Sequence, residues 1–222
     1  MYKKCPNCRL VNYPEAATCV RCEGELSVTT SSTRCKRSIG RTILIRAAIC
    51  VLVCIASLLA FYLSLVAPAT PLTIEEKYKV RNGIRLLRDK GFDREAFMLD
   101  NLTVFRSNDN WLNASVAKEN AYAATNFPFE IVTLYSDFFT YPVDDTERAA
   151  ILLHEAKHLE GFDETEAYKY VWNNRAQLGW TKDKYFRSPV WTNTRRLTSE
   201  HSPQLFICGE NDFNDCTEPL SP

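Results

Sequence analysis

The run Ala47–Ala67, AAICVLVCIASLLAFYLSLVA, carries no formal charge over 21 residues. A bilayer core of about 30 Å needs roughly 20 helical residues to cross it. A run of this length therefore partitions the chain before anything else does. Arg46 can snorkel at its start, and Pro68 and Pro71 end it. A membrane-spanning helix is predicted over 42–68, against the alternative of a buried core helix. The segment before it is too long for a cleaved signal peptide.

Charge sets the expected orientation. The chain's formal net charge is zero, but residues 1–46 hold nine Lys/Arg against three Glu. The basic side precedes the span, so the positive-inside rule places the N-terminus in the cytoplasm. The body, 72–222, is then periplasmic or extracellular, on a single-pass protein of the cytoplasmic (inner) membrane. Residues 27–41, rich in Ser, Thr, Lys and Arg, read as a flexible basic linker.

The nine cysteines fall into groups rather than one framework. Cys5-Pro-Asn-Cys8 and Cys19-Val-Arg-Cys22 are two CxxC knuckles, the spacing that offers four thiolates to tetrahedral Zn²⁺. A head of about 25 residues buries too little apolar surface to fold unaided, so the metal would supply the folding energy. Residues 3–26 resemble the short zinc-ribbon at the N-terminus of many bacterial membrane proteins, CPxCxxxN…CxxCG. Arg9 and Glu23 depart from that pattern without touching a ligand. The expected ribbon covers 1–26, with a protein partner. Only Tyr2 and Tyr13 offer stacking, which weighs against nucleic acid. Cys50 and Cys54 read as small apolar filler in the span. Cys208 and Cys216 flank an acidic loop and are expected to form a disulfide outside the cytoplasm. The loop lacks EF-hand spacing, so no Ca²⁺ is expected.

The body alternates helix and strand signals, which predicts an α+β domain. Thr73-x-x-Glu76 is a capping box, with a helix to about Lys90 and Gly91 as its stop. Phe129–Tyr135 is β-branched and aromatic and reads as a strand. Phe138–Tyr141 reads as an aromatic loop. Asp144 or Asp145 caps a helix to about Glu160. A further helix is expected over Glu164–Gln177, with Gly179 as its stop. Residues 93–105 are ambiguous, and 111–124 read as helix or loop.

The helix ending near Glu160 contains His154-Glu155-Ala156-Lys157-His158, an HExxH with two of the chain's three histidines. At this composition about 0.003 such matches arise by chance. Residues i and i+4 share a helix face, so both imidazoles can address one ion, while Leu152, Ala156 and Leu159 suit a core. Glu155 reaches the attacking water rather than the metal and can act as general base. A third protein ligand is required. Glu164 is the first candidate and Glu166 the alternative, followed by Asp163 and then His201.

HExxHxxGxxE (His154 to Glu164) is similar to the metzincin spacing, and Glu164-x-x-Ala167 resembles the ExxA segment of some gluzincins. No methionine follows the motif, as a metzincin would need, and the interval is too short for a thermolysin-type enzyme. The resemblance is therefore to the zincin superfamily, over roughly 129–180, and to no family within it. It implies a small zincin-like domain, a short sheet plus the HExxH helix with an edge strand beside the cleft. It also implies hydrolysis of peptide or protein substrates by a Glu155-activated, zinc-bound water. Tyr168, Tyr170, Tyr185 and His201 are the candidates for stabilising the oxyanion. The chain then carries two Zn²⁺ sites, one structural and one of catalytic type. The other functional class open to it is a non-catalytic membrane signalling or assembly protein with a structural or regulatory metal. Glu155 favours the enzyme; the small body favours the alternative.

Overall fold

The computed structural model describes residues 2–26, 39–115, 122–207 and 215–217. The chain divides into two compact units, Met1–Ala56 and Ser57–Pro222. In the first, β1 (Lys3–Lys4) and β2 (Val11–Asn12) pair antiparallel, with Lys3 opposite Asn12. Most of the predicted linker, 27–38, lies outside the described residues. Helix α1 runs Ile39–Val66, so it starts inside the predicted linker, three residues before the predicted span. It is long and apolar enough to cross a membrane, with a mean hydropathy of 2.7, and only 6% of its apolar window is buried.

The body is mixed α+β, with short strands. Helix α2 (Ile74–Asp89) begins with the capping box intact: Thr73 accepts from the Glu76 amide, and Glu76 accepts from the Thr73 amide. Gly91 follows its C-cap at φ +84°, a left-handed conformation that glycine adopts without strain. The open stretch 93–105 resolves into α3 (Asp93–Asn101) and β3 (Val104–Arg106). The second open stretch holds a 3₁₀ turn at Asn113–Ser115 and β4 (Ala123–Asn126).

The predicted strand is shorter than its apolar run, β5 at Ile131–Leu134. It is also central: the order is β3-β5-β4, with β3 parallel and β4 antiparallel to β5. All four of its side chains are buried. β3 and β4 are the sheet's two edges; β4, on the cleft side, was marked by no pattern, because Ala-Ala-Thr-Asn has little strand propensity of its own. The predicted aromatic loop is helical, α4 (Ser136–Thr140), and Phe138 is drawn into the core.

Helix α5 (Asp145–Leu159) is the hub and packs against α2, α3, α6 and β4. Asp144 caps it, accepting from the Thr146 and Glu147 amides. Glu147 does not close a capping box. Its buried carboxylate accepts from the Val143 amide at 3.0 Å and from Trp180 Nε1 at 3.2 Å. Helices α6 (Glu164–Leu178), α7 (Lys182–Tyr185) and α8 (Pro189–His201) complete the body. Trp172, Trp180, Trp191 and Phe206 form one aromatic cluster, with Trp172 and Trp180 each 5.0 Å from Trp191. Asp215 docks on α6, accepting from Arg175 at 2.8 Å and from Trp172 Nε1 at 3.1 Å. Cys216 beside it is disulfide-bonded; Cys208, its expected partner, lies outside the described residues.

Helices α2 and α5 approach closely at Gly83, where an added Cβ would sit 2.8 Å from Leu152 Cδ1. Leu152 is fully buried and cannot swing clear. Gly83→Val is therefore expected to destabilise the body by about 1–3 kcal/mol through overpacking, despite removing a helical glycine. Denaturant unfolding of the chain in detergent would measure it.

Candidate functional site

Helix α5 brings its motif to one wall of a cleft of about 840 Å³. One turn separates His154 from His158, and their Nε2 atoms lie 3.0 Å apart. The chain then reverses. Gly161 takes φ +84°, and Asp163 caps α6 by accepting from the Glu166 amide at 3.0 Å. Glu164 opens α6 and points back at the two imidazoles. Its carboxylate oxygens lie 3.2 Å from His154 Nε2 and 3.5 Å from His158 Nε2. The three residues offer donor atoms within 4.8 Å of one another, a group that could hold a metal ion. Glu166 faces Lys169 instead, at 3.4 Å, so neither it nor the capping Asp163 joins the cluster.

The electrostatics are those of a close His–carboxylate cluster. Burial alone would lower the pKa of His158, but the hydrogen bond to Glu164, the charge of Glu155 and the Phe162 carbonyl together raise it to about 9. Hydrogen bonds from His154 and His158 hold Glu164 far below the usual carboxylate range. His158 Nδ1 donates to the Phe162 carbonyl at 2.9 Å, which fixes the orientation of its ring. His154 Nδ1 is buried with no hydrogen-bond partner among the described residues, and its ring is held by Tyr168 at 4.3 Å.

Glu155 is buried on the same cleft wall. Its Oε2 accepts from Thr125 Oγ1 at 2.7 Å. Thr125 sits on the edge strand β4, so sheet and helix position this carboxylate jointly. Burial, with the charges of Glu164 and Glu155, pushes the Tyr168 hydroxyl pKa up, and it stays protonated. Tyr168 also stacks on His201 at 5.4 Å, and both line the cleft. The other two oxyanion candidates lie elsewhere: Tyr170 donates to Glu95 and Tyr185 to Asp144, each at 2.7 Å.

Sequence reasoning missed Thr125, and it missed Lys157. The Lys157 ammonium is buried, 3.0 Å from Glu160 and 3.7 Å from Glu95, beneath the rings of Tyr170 and Phe162 at 4.1 and 4.9 Å. It clamps the turn whose carbonyl orients His158. A lysine at the second x of HExxH carries no local signal of that task.

In the ribbon, Cys5, Cys8, Cys19 and Cys22 are positioned to bind a metal ion, their sulfurs within 4.8 Å of one another. The knuckles repeat one pattern: Arg9 N–H donates to the Cys5 carbonyl and Glu23 N–H to the Cys19 carbonyl, each at 2.9 Å. The Arg21 amide lowers the Cys19 pKa to about 6. At Cys22 the Gly24 amide favours the thiolate, but the neighbouring sulfurs and burial outweigh it and push the thiol up to about 12. Four sulfurs this close cannot all ionise without a cation among them.

Comparison with models of known families, with curated proteins and with solved structures returns no match for this chain.

Arg9 and Glu23, the two departures from the ribbon pattern, are the residues forced to φ 60° and 54°. Glu23→Gly is expected to relieve up to about 1 kcal/mol of left-handed strain and slow metal loss to a chelator several-fold. In the cleft, Thr125→Val strands a buried carboxylate oxygen. It is expected to cost about 1–3 kcal/mol in denaturant unfolding, with Thr125→Ser near wild type.

Proposed function

We propose that the chain is a membrane-anchored, zinc-dependent metallopeptidase, with a zincin-like body on the outer side of the cytoplasmic membrane. The observation that carries this reading is the convergence of His154, His158 and Glu164 beside Glu155. Tetrahedral zinc with bonds of about 2.0–2.1 Å separates its ligand atoms by about 3.3 Å. The separations of 3.0, 3.2 and 3.5 Å straddle that value. The His158–Phe162 hydrogen bond keeps the Nδ1 proton, so Nε2 is the nitrogen that would give up its proton to a metal, the arrangement a metal-ligating histidine requires. In the ribbon, sulfurs 3.5 Å apart suit zinc with bonds of about 2.3 Å.

When bound in the cleft, zinc supplies a Lewis acid that polarises the scissile carbonyl and eases the ionisation of water. His154, His158 and Glu164 hold it. Glu155 takes the proton of the attacking water and delivers it to the leaving amine. Thr125 orients Glu155, and Tyr168 and His201 are the donors available to the developing oxyanion. The basic flank of α1 supports a cytoplasmic ribbon, where reduced thiolates persist and a protein partner can be met.

A non-catalytic signalling or assembly role, with a structural or regulatory metal, is the second reading. The engagement of buried Glu155 by Thr125 favours it, since that carboxylate is already partnered.

Hydrolysis of a broad peptide library by the full chain in detergent separates the two. The wild type is expected to hold about two zinc ions and to lose activity to a chelator. Glu155→Gln is expected to keep both ions and lose about 10²–10⁴-fold in rate. Glu164→Ala is expected to lose one ion and Glu166→Ala neither. A fully zinc-loaded chain that cuts nothing would sink the catalytic reading.

A further inference from the structure

Two loops of the body tie the end of α1 directly to the cleft. In the first, Trp111 meets Phe61 of α1 edge-on at 5.6 Å, and its Nε1 donates to Ser64 Oγ at 3.3 Å. The next residue, Leu112, lines the cleft. In the second, Phe129 packs on the same Phe61 at 5.1 Å. Phe127, two residues earlier in the β4–β5 turn, lines the cleft and lies against Gly161. Leu65 is fully buried and Ala69 nearly so. The end of α1 is therefore a packed part of the body rather than a tether.

Phe61 lies six residues before the end of the apolar run Ala47–Ala67, about 9 Å along the helix. The interfacial layer adds only about 5–8 Å to each side of the hydrocarbon core. Even with Ala67 at the outer edge of that layer, Phe61 lies about 1–4 Å below the core boundary and Ser64 just above it, so side chains packed on the two reach at least as deep as that boundary. Trp111 remains 52% exposed and Phe127 59%. An exposed indole whose N–H is already satisfied, next to exposed phenyl rings, is the composition that partitions into a lipid interface.

We propose that the Trp111–Phe127 end of the body is immersed in the outer interfacial layer of the bilayer. The cleft then opens at the membrane surface and takes polypeptide lying within a few residues of a membrane anchor. The first half rests on α1 spanning the membrane, the second also on the cleft binding polypeptide. A soluble substrate approaching from bulk solvent would find this end of the cleft closed by lipid.

The full chain in phosphatidylcholine vesicles tests both halves. Resistance to alkaline carbonate extraction reads the span itself; extraction overturns the span and the inference together. Trp172, Trp180 and Trp191 are at most 3% exposed, so the emission difference between wild type and Trp111→Phe reports Trp111. Lipid brominated near the headgroup is expected to quench most of that difference, and aqueous acrylamide little of it. Acrylamide quenching without lipid quenching, in a carbonate-resistant chain, overturns the inference and leaves the span standing. So does shielding from both, which means that a second copy or another protein covers the face. For the substrate class, the Glu155→Gln chain carries a photo-crosslinking amino acid in place of Phe127. It meets a peptide joined to a membrane anchor by a spacer of about five or about thirty residues, the shorter reaching about 17 Å. Capture through the short spacer is expected to equal or exceed capture through the long one. A tenfold loss with the short spacer, or capture of neither peptide, overturns the substrate class while the hydrolysis assay reads the peptidase chemistry separately.

Discussion

Helix α5 must be core and site at once, and the rest of the body follows from how it manages both. Packed by α2, α3, α6 and β4, it is buried on most of its circumference. Ala149, Ala150 and Ala156 let its neighbours approach closely, and Gly83 removes a side chain where α2 crosses it. Burial on that scale is costly for a helix that carries Glu147, Glu155 and Lys157 inward. Each is tolerated because a partner arrives from another element: Trp180 and the Val143 amide for Glu147, Thr125 for Glu155, Glu95 and Glu160 for Lys157. Only the face bearing His154 and His158 is left open to the cleft.

The reversal after α5 converts two histidines into a three-donor cluster. Gly161 supplies the left-handed conformation, Asp163 caps the next helix, and Glu164 is thereby returned to the imidazoles within six residues of His158. The same turn presents the Phe162 carbonyl to His158 Nδ1. Lys157 holds the turn from below through Glu160 and the Phe162 ring. One short segment thus provides one member of the cluster, orients another and is anchored by a residue of the motif itself. Its geometry is set by packing and ion pairing, which tolerate little displacement in a close-packed interior.

Phe61 serves the body in a comparable way. Trp111 and Phe129 close on it from loops that also carry the cleft residues Leu112 and Phe127. The aromatic side chains at this seam have both faces of their chemistry in use, rings against α1 and an indole N–H on Ser64.

Much of this was legible in the residues. The apolar run, the two CxxC knuckles, the capping box at Thr73, the glycine stops at positions 91 and 179, and the spacing from His154 to Glu164 are local patterns. Their physical meaning depends on helix pitch, chain conformation and ligand chemistry alone, so a linear reading reaches them. The sheet was not legible in the same way. β4 lacks strand-forming residues and is held as a strand by β5, and nothing along the chain marks β5 as the central strand, because pairing partners are chosen across the fold rather than along the chain. The Phe138 stretch is a helix that buries Phe138 in the core and leaves Tyr141 exposed, a tertiary demand that overrode its loop-like composition. Thr125 beside Glu155, Lys157 beneath its turn and Trp111 on Phe61 join residues 30, 3 to 62, and 50 positions apart. The sequence by itself determined the candidate donor residues, their spacing and the membrane-length helix, since each is set within one or two helical turns. Which group orients Glu155, and which face of the body meets α1, were decided only by tertiary packing, where distant residues first share a surface.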